Sequence, residues 1–132
     1  MYELLYTSVA NYGLEHKEFA AILDASKKNN PETDITGMLV FTGREFIQLL
    51  EGDKEKVQAL YEKITQDNRH HSTRVFYEGG ISKRSFYGWS MADKLMSDEE
   101  IAQALESREP SEWLTANPNM GRKLFEMLKD CL

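Results

Sequence analysis

The chain has one cysteine among its 132 residues, Cys131, next to the C-terminal Leu132. That excludes an intrachain disulfide and a cysteine-built metal cluster, and it suits a reducing compartment. Basic charge is scarce as well. Sixteen Lys and Arg stand against 22 Asp and Glu, giving a net charge of -6 and a pI near 5.1. Neutralising nucleic-acid phosphates or docking on an anionic membrane needs a clustered basic surface, and none is present. No apolar run approaches the length of a membrane span, and Met1 leads straight into an alternating segment without the charged and apolar regions of a signal peptide. A cytoplasmic protein is the expectation. Internal repeats, low-complexity runs and a Gly-rich dinucleotide fingerprint are all missing. What remains, 41% hydrophobic and 29% charged residues, is the composition of one soluble globular domain long enough to bury a core.

The most informative stretch present is ITGMLVFTGREFIQLLEG, residues 35–52. Two apolar runs flank a Thr-Gly-Arg-Glu loop, which predicts a β-hairpin. Alternation puts Phe46, Gln48 and Leu50 on one face of its second strand, with Glu45, Ile47, Leu49 and Glu51 on the other. A carboxamide among Phe and Leu needs hydrogen-bond partners if that face is covered. Either the face is wet, or something polar sits over Gln48.

Residues 2–8, YELLYTS, alternate as a first strand with Tyr6 facing the same way as Leu4, so Tyr6 is a candidate buried phenol. Phe19, Ile22 and Leu23 share one face of a helix running to Lys28, and Asn29-Asn30-Pro31 reads by itself as its C-terminal stop. After the hairpin, Asp53 is the expected N-cap of a second helix, whose Val57, Leu60, Tyr61 and Ile64 form an apolar stripe ending near Asp67. His70 and His71 invite a metal reading, but neighbours on a strand point to opposite faces and no matching ligand spacing exists. Arg69 and His70 fit better as donors to an anion. Residues 74–77 predict a short strand, Gly79-Gly80 a turn, and residues 86–94, FYGWSMADK, a last strand with Tyr87, Trp89 and Met91 on one face.

The resulting order, β-α-β-β-α-β-β, predicts an α+β fold of the ferredoxin-like kind, with two helices over one face of a mainly antiparallel sheet. Residues 1–95 form that domain. In residues 96–132, a capping box at Ser97 and an Asn117-Pro118 start predict short C-terminal helices carrying Trp113, Leu124, Phe125 and Leu128. They are too short to stand alone, and must pack on the bare face of the sheet or self-associate with a second copy.

Five motifs in this order carry a resemblance: LLYTS around Tyr6, KKNN ahead of ITG, FIQLLEG around Gln48, the D-x-RHH run from Asp67 to His71, and FYGWSM around Trp89 and Met91. Over about residues 2 to 94 the sequence resembles the BLUF domains, blue-light sensors that use flavin. The resemblance implies a non-covalent flavin, FAD or alternatively FMN, held between the two helices. It gives Tyr6 the role of electron donor and Gln48 that of the amide bridging phenol and flavin ring. Asn29 and Asn30 become ring contacts, and Ile22 and Ile64 the aliphatic walls. Lys63, Asp67, Arg69 and His70 fall where the family holds the ribityl and phosphate part. Trp89 and Met91 match the pair that transmits the signal, with Ser26 as a hydroxyl partner. Lys63 stands where arginine is common, implying a point charge in place of a fork.

A flavin would give Gln48 and Tyr6 the polar partners they otherwise lack, and would turn the Asn pair from a helix stop into a clamp. The implied function is a light switch without catalytic turnover that signals to a partner protein. Two rivals are a flavin-dependent oxidoreductase and a ferredoxin-like ligand-binding module without photochemistry. Neither requires the pair Tyr6 and Gln48.

Overall fold

The computed structural model describes residues 1–11, 20–25, 28, 33–86 and 91–95. A five-stranded sheet has the order β4-β1-β3-β2-β5. Its strands are β1 (Tyr2–Ala10), β2 (Thr36–Phe41), β3 (Glu45–Gly52), β4 (His70–Gly80) and β5 (Ala92–Leu95). Central β1 pairs antiparallel with β3 and β4, β2 pairs antiparallel with β3, and only β5 lies parallel to its neighbour β2. Helix α1 contains residues 20–25, and α2 is Lys54–Thr65. This is the expected α+β, ferredoxin-like order of elements.

The hairpin forms where glycine allows it. Gly43 takes φ +94° in the three-residue turn between β2 and β3, a region closed to most side chains. Thr42 closes the turn, its N–H donating to the Glu45 carbonyl at 3.0 Å and its Oγ1 accepting from Glu45 N–H at 2.9 Å. Gly37 serves a different need: a Cβ there would stand 2.0 Å from the Leu49 carbonyl oxygen, so only glycine lets β2 approach β3 this closely.

Helix α2 begins as expected. The Asp53 carboxylate accepts from the N–H groups of Glu55 and Lys56 at 3.1 and 3.4 Å, satisfying donors that the first turn leaves unpaired. Its apolar stripe packs on the sheet, with Val57 fully buried and Leu60, Tyr61 and Ile64 half-buried around it. They meet Leu4, Tyr6, Leu39, Phe41, Phe46 and Leu50 from the strands in one core. The opposite face of the sheet is equally dry, since Leu5, Met38, Val40, Ile47 and Leu49 are all buried. Where the C-terminal helices pack, and whether Trp113 or the Leu124, Phe125, Leu128 stripe joins copies, lies outside the described residues.

Two strand boundaries differ from expectation. β4 is not a four-residue strand ending before a Gly-Gly turn: it runs 11 residues from His70, and Gly79 and Gly80 pair with Glu3 and Tyr2. The long β1 demands a partner along its whole length, which overrides the turn tendency of the glycines. β4 fits by bulging between Leu5/Tyr6 and Thr7/Val9, with Ser72 at φ +56° by the second bulge. The last strand begins at Ala92 and not at Phe86. Phe86 cannot join a ladder because its N–H donates to a side chain, the Glu51 carboxylate, at 2.6 Å.

Glu51 is fully buried, and sequence reasoning assigned it only to a face. Its carboxylate also accepts from Ser85 N–H at 2.9 Å and Thr36 Oγ1–H at 2.8 Å. Arg84 closes the cluster, donating to Thr36 Oγ1 at 3.0 Å and the Glu51 carbonyl at 3.4 Å while pairing with Asp34 at 3.0 Å. The segment ahead of β5 is thereby tied to β3. Among the described residues no helix is long and apolar enough to cross a membrane. We expect Glu51→Ala to lower unfolding stability by about 3 kcal/mol, because it strands the buried Phe86 N–H and the half-buried Ser85 N–H. Glu51→Gln keeps one acceptor oxygen and costs less; urea-unfolding midpoints at unchanged slope measure both.

Candidate functional site

Tyr6 and Gln48 are directly opposed across the β1/β3 ladder, and Leu39 of β2 flanks Gln48 on its other side. Both polar residues are nearly inaccessible, at 3% and 4% exposure. The Tyr6 hydroxyl donates to Gln48 Oε1. Gln48 Nε2 in turn donates to the Met91 sulfur at 3.4 Å. Phenol, carboxamide and thioether thus form a chain from the middle of the sheet to the residue preceding β5. Burial, with lesser contributions from Tyr61 and Asp67, pushes the Tyr6 phenol far above its usual pKa, so it stays protonated. Its proton points at the amide oxygen of Gln48.

Over this pair lies a cleft of about 470 Å³, counted out to its open mouth. Ile22 of α1 and Ile64 and Leu60 of α2 form its helical walls, Leu39 and Phe46 its floor beside Tyr6 and Gln48, and Asp67 and His70 its rim. The expected walls Ile22 and Ile64 therefore do share one cavity. His70 is locked in place: its Nε2 donates to the Ile64 carbonyl at 2.7 Å, which leaves Nδ1 to accept from the Ser8 hydroxyl at 2.7 Å. Its ring meets Phe46 edge-on at 6.1 Å. The histidine fixes the junction of α2 and β4 as well as the rim.

Arg69 forms a fork with Asp67, its Nε donating to both carboxylate oxygens at 2.9 and 3.1 Å and its Nη2 to Oδ2. Arg69 holds the Asp67 carboxyl below the usual carboxylate range, chiefly through these bonds. Lys63 is exposed on α2, one position before Ile64. His71 is exposed too, with Nδ1 2.9 Å from Ser72 Oγ. Among the described residues no three His, Cys, Asp or Glu converge on a metal position. Ser26, Asn29, Asn30 and Trp89 lie outside the described residues. Sequence reasoning missed Leu39, Phe46, Leu60 and Ser8, although alternation already placed Phe46 beside Gln48.

A slot with apolar walls on both sides, and one buried amide with donor and acceptor capacity at its base, suits a flat heteroaromatic ring with a polar edge. Flavin has those properties, and the residues present fit it. The family model for BLUF, sensors of blue-light using FAD, matches residues 1–92. The chain belongs to the BLUF family. It therefore carries a flavin-based blue-light sensor domain.

Among BLUF relatives, the blue light- and temperature-regulated antirepressor BluF of Escherichia coli K12 is 36% identical over 69 residues. That match takes in 52% of this chain and only 17% of the antirepressor. The dark-state structure of the BLUF protein BlrB superposes with a TM-score of 0.79 at 25% identity, over 99% of this chain and 96% of that one. The ground state of BlsA gives 0.81 at 28% identity, over 96% and 87%.

Because the folded-state pKa of Asp67 is depressed, its pairing with Arg69 stabilises the rim fully above the ordinary carboxylate pKa. That contribution fades as pH falls through the depressed value. The loss of unfolding midpoint on acidification should be smaller in Asp67→Asn than in the wild type, measured by thermal scans from neutral to acidic pH.

Proposed function

We propose that this chain is a photoswitch in which Tyr6 and Gln48 are the photochemical pair and Met91 the first receiver of the signal. Held in the cleft by Ile22, Ile64, Tyr6 and Gln48, a flavin would supply blue-light absorption and an excited state able to accept an electron. Tyr6 gives that electron. Its proton moves toward Gln48 Oε1, the acceptor its hydroxyl already faces. The carboxamide then rotates or tautomerises, exchanging donor for acceptor at nearly constant shape. When electron and proton return to Tyr6, Gln48 is left in a different hydrogen-bond set. Met91 then loses the hydrogen bond that its sulfur accepts from Gln48 Nε2. The observation that carries this reading is the continuous Tyr6–Gln48–Met91 chain, since a ligand-binding module would need none of it.

Met91 immediately precedes β5, and among the described residues β5 is an edge strand with a single neighbour. An edge held by one ladder is the easiest part of a sheet to displace, which supports β5 as the output of the sensor domain. We assign residues 1–95 to sensing and residues 96–132 to output through contact with a partner protein, without catalytic turnover. The name of the antirepressor relative is consistent with output of that kind. Trp89 and Ser26 are assigned to the same relay, and Asn29 and Asn30 to the flavin ring edge. Lys63 and the Asp67–Arg69–His70 corner are placed toward the ribityl and phosphate part. FAD is the form favoured, after the family's own description.

The absorption spectrum before and after blue light tests the photochemistry. The wild type shifts reversibly to longer wavelength, whereas Gln48→Leu and Tyr6→Phe bind flavin and do not shift; a shift in either variant removes that residue from the mechanism. Met91→Leu keeps volume but deletes the sulfur acceptor of the dark state. It should slow dark recovery by about fivefold, the equivalent of about 1 kcal/mol.

A further inference from the structure

Tyr61 of α2 packs its ring on that of Tyr6, with centroids 5.3 Å apart and planes inclined at 56°. The two phenols have opposite surroundings. Tyr6 is buried and lines the cleft under the helices, while Tyr61 is half-buried and lines a second cavity. That cavity lies between α2 and strands β1 and β4 and is open to solvent, spanning about 730 Å³ counted out into the solvent. Glu62, Glu78 and Gln58 line it, and Glu78 accepts from the Tyr2 hydroxyl and from Gln58 Nε2. The tyrosine pair is thus an aromatic bridge from the cleft to a wet, carboxylate-bearing cavity.

We infer that Tyr61 is a second redox tyrosine, which draws the oxidising equivalent from Tyr6 in a fraction of light events and releases its proton into the solvent-open cavity. This rests on Tyr6 as the electron donor to the photoexcited flavin. Tyr6 has given up one electron and passed its proton to Gln48 Oε1; Tyr61 gives one electron to oxidised Tyr6, which takes that proton back and is restored as a phenol. The Tyr61 O–H bond breaks and its proton leaves to solvent or to the Glu62 or Glu78 carboxylate. A neutral tyrosyl radical remains at position 61.

Electron transfer in this direction follows from the surroundings. Oxidation turns a phenol into a strong acid, and it is easiest where a base can take the proton. The Tyr6 hydroxyl faces the Gln48 amide oxygen, a weak base. Tyr61 shares the lining of a solvent-open cavity with the Glu62 and Glu78 carboxylates. Rings in van der Waals contact let the electron cross without an intermediate carrier. The consequence is a leak: once the oxidising equivalent sits on Tyr61, the return to Tyr6 that completes the switch is bypassed. Strong or prolonged light then bleaches the protein and does not switch it.

The flavin-loaded full chain, frozen under continuous blue light, tests this by electron paramagnetic resonance, with bleaching followed in parallel at room temperature. The wild type should give a tyrosyl signal. Tyr61→Phe keeps the ring but cannot be oxidised, so the signal and the bleaching rate should each fall by at least about tenfold. Tyr61→Trp should restore both, with a tryptophanyl signal in place of the tyrosyl one. An undiminished tyrosyl signal in Tyr61→Phe, a tyrosyl signal in Tyr61→Trp, or no radical in the wild type overturns the relay. Tyr6→Phe separates the two levels. If it abolishes the reversible spectral shift while Tyr61→Phe still yields the radical, only the relay fails; if it leaves the shift intact, the donor role of Tyr6 fails and the relay with it.

Discussion

The hydrogen bond between the Tyr6 phenol and the Gln48 carboxamide exists because β1 and β3 are zipped in one register. Their pairing runs unbroken from Tyr2 opposite Gly52 to Val9 opposite Glu45. Side chains alternate across a sheet, so a slip of one residue would turn Gln48 onto the other face and leave Tyr6 facing a hydrocarbon side chain. Everything that fixes this register serves the site: the Gly43 turn, the close approach of β2 at Gly37, and the dry packing of both faces. The pair is costly in isolation, since two polar groups are taken out of water. It persists because each satisfies the other, with Met91 taking the amide's other end.

β3 carries opposite duties on its two faces. Toward the helices, Gln48 is a group whose donor and acceptor ends can be exchanged. Toward the other side, three residues on, Glu51 fixes the backbone of Ser85 and Phe86 with a buried carboxylate. Both reach the same stretch of chain, Gln48 through Met91 and Glu51 through Phe86. Glu51 anchors the chain at Phe86, Gln48 meets it again at Met91, and among the described residues β5 pairs with β2 alone. A displacement there disturbs one short parallel ladder and leaves the central β4-β1-β3 ladders intact.

Local rules made much of this legible. Alternation assigned the faces of β1 and β3 correctly, and with them the buried phenol and amide, because both strands are half of a two-sided core. The 3.6-residue period found the α2 stripe, and the Asp53 cap lies where a side-chain acceptor before an apolar run puts it. The failures have one cause. The length of β4, the late start of β5 and the role of Glu51 all depend on what a distant segment offers: Gly79 and Gly80 are strand because β1 lies beside them, and Phe86 is not strand because Glu51 takes its N–H. The partners of His70, the Ser8 hydroxyl and the Ile64 carbonyl, come likewise from segments that no local pattern joins to it.

By itself, then, the sequence determined the element order, the faces of the central strands and the motifs of a flavin-based light sensor, for these rest on periodicity and residue chemistry along the chain. Only the tertiary structure decided which partners the buried polar groups have. It set Gln48 between Tyr6 and Met91, placed Tyr61 against Tyr6, and made Glu51 the tie to the segment before β5. The physical reason is that hydrogen bonds and ring contacts between residues some 40 positions apart are fixed by strand register and helix docking, which no local pattern encodes.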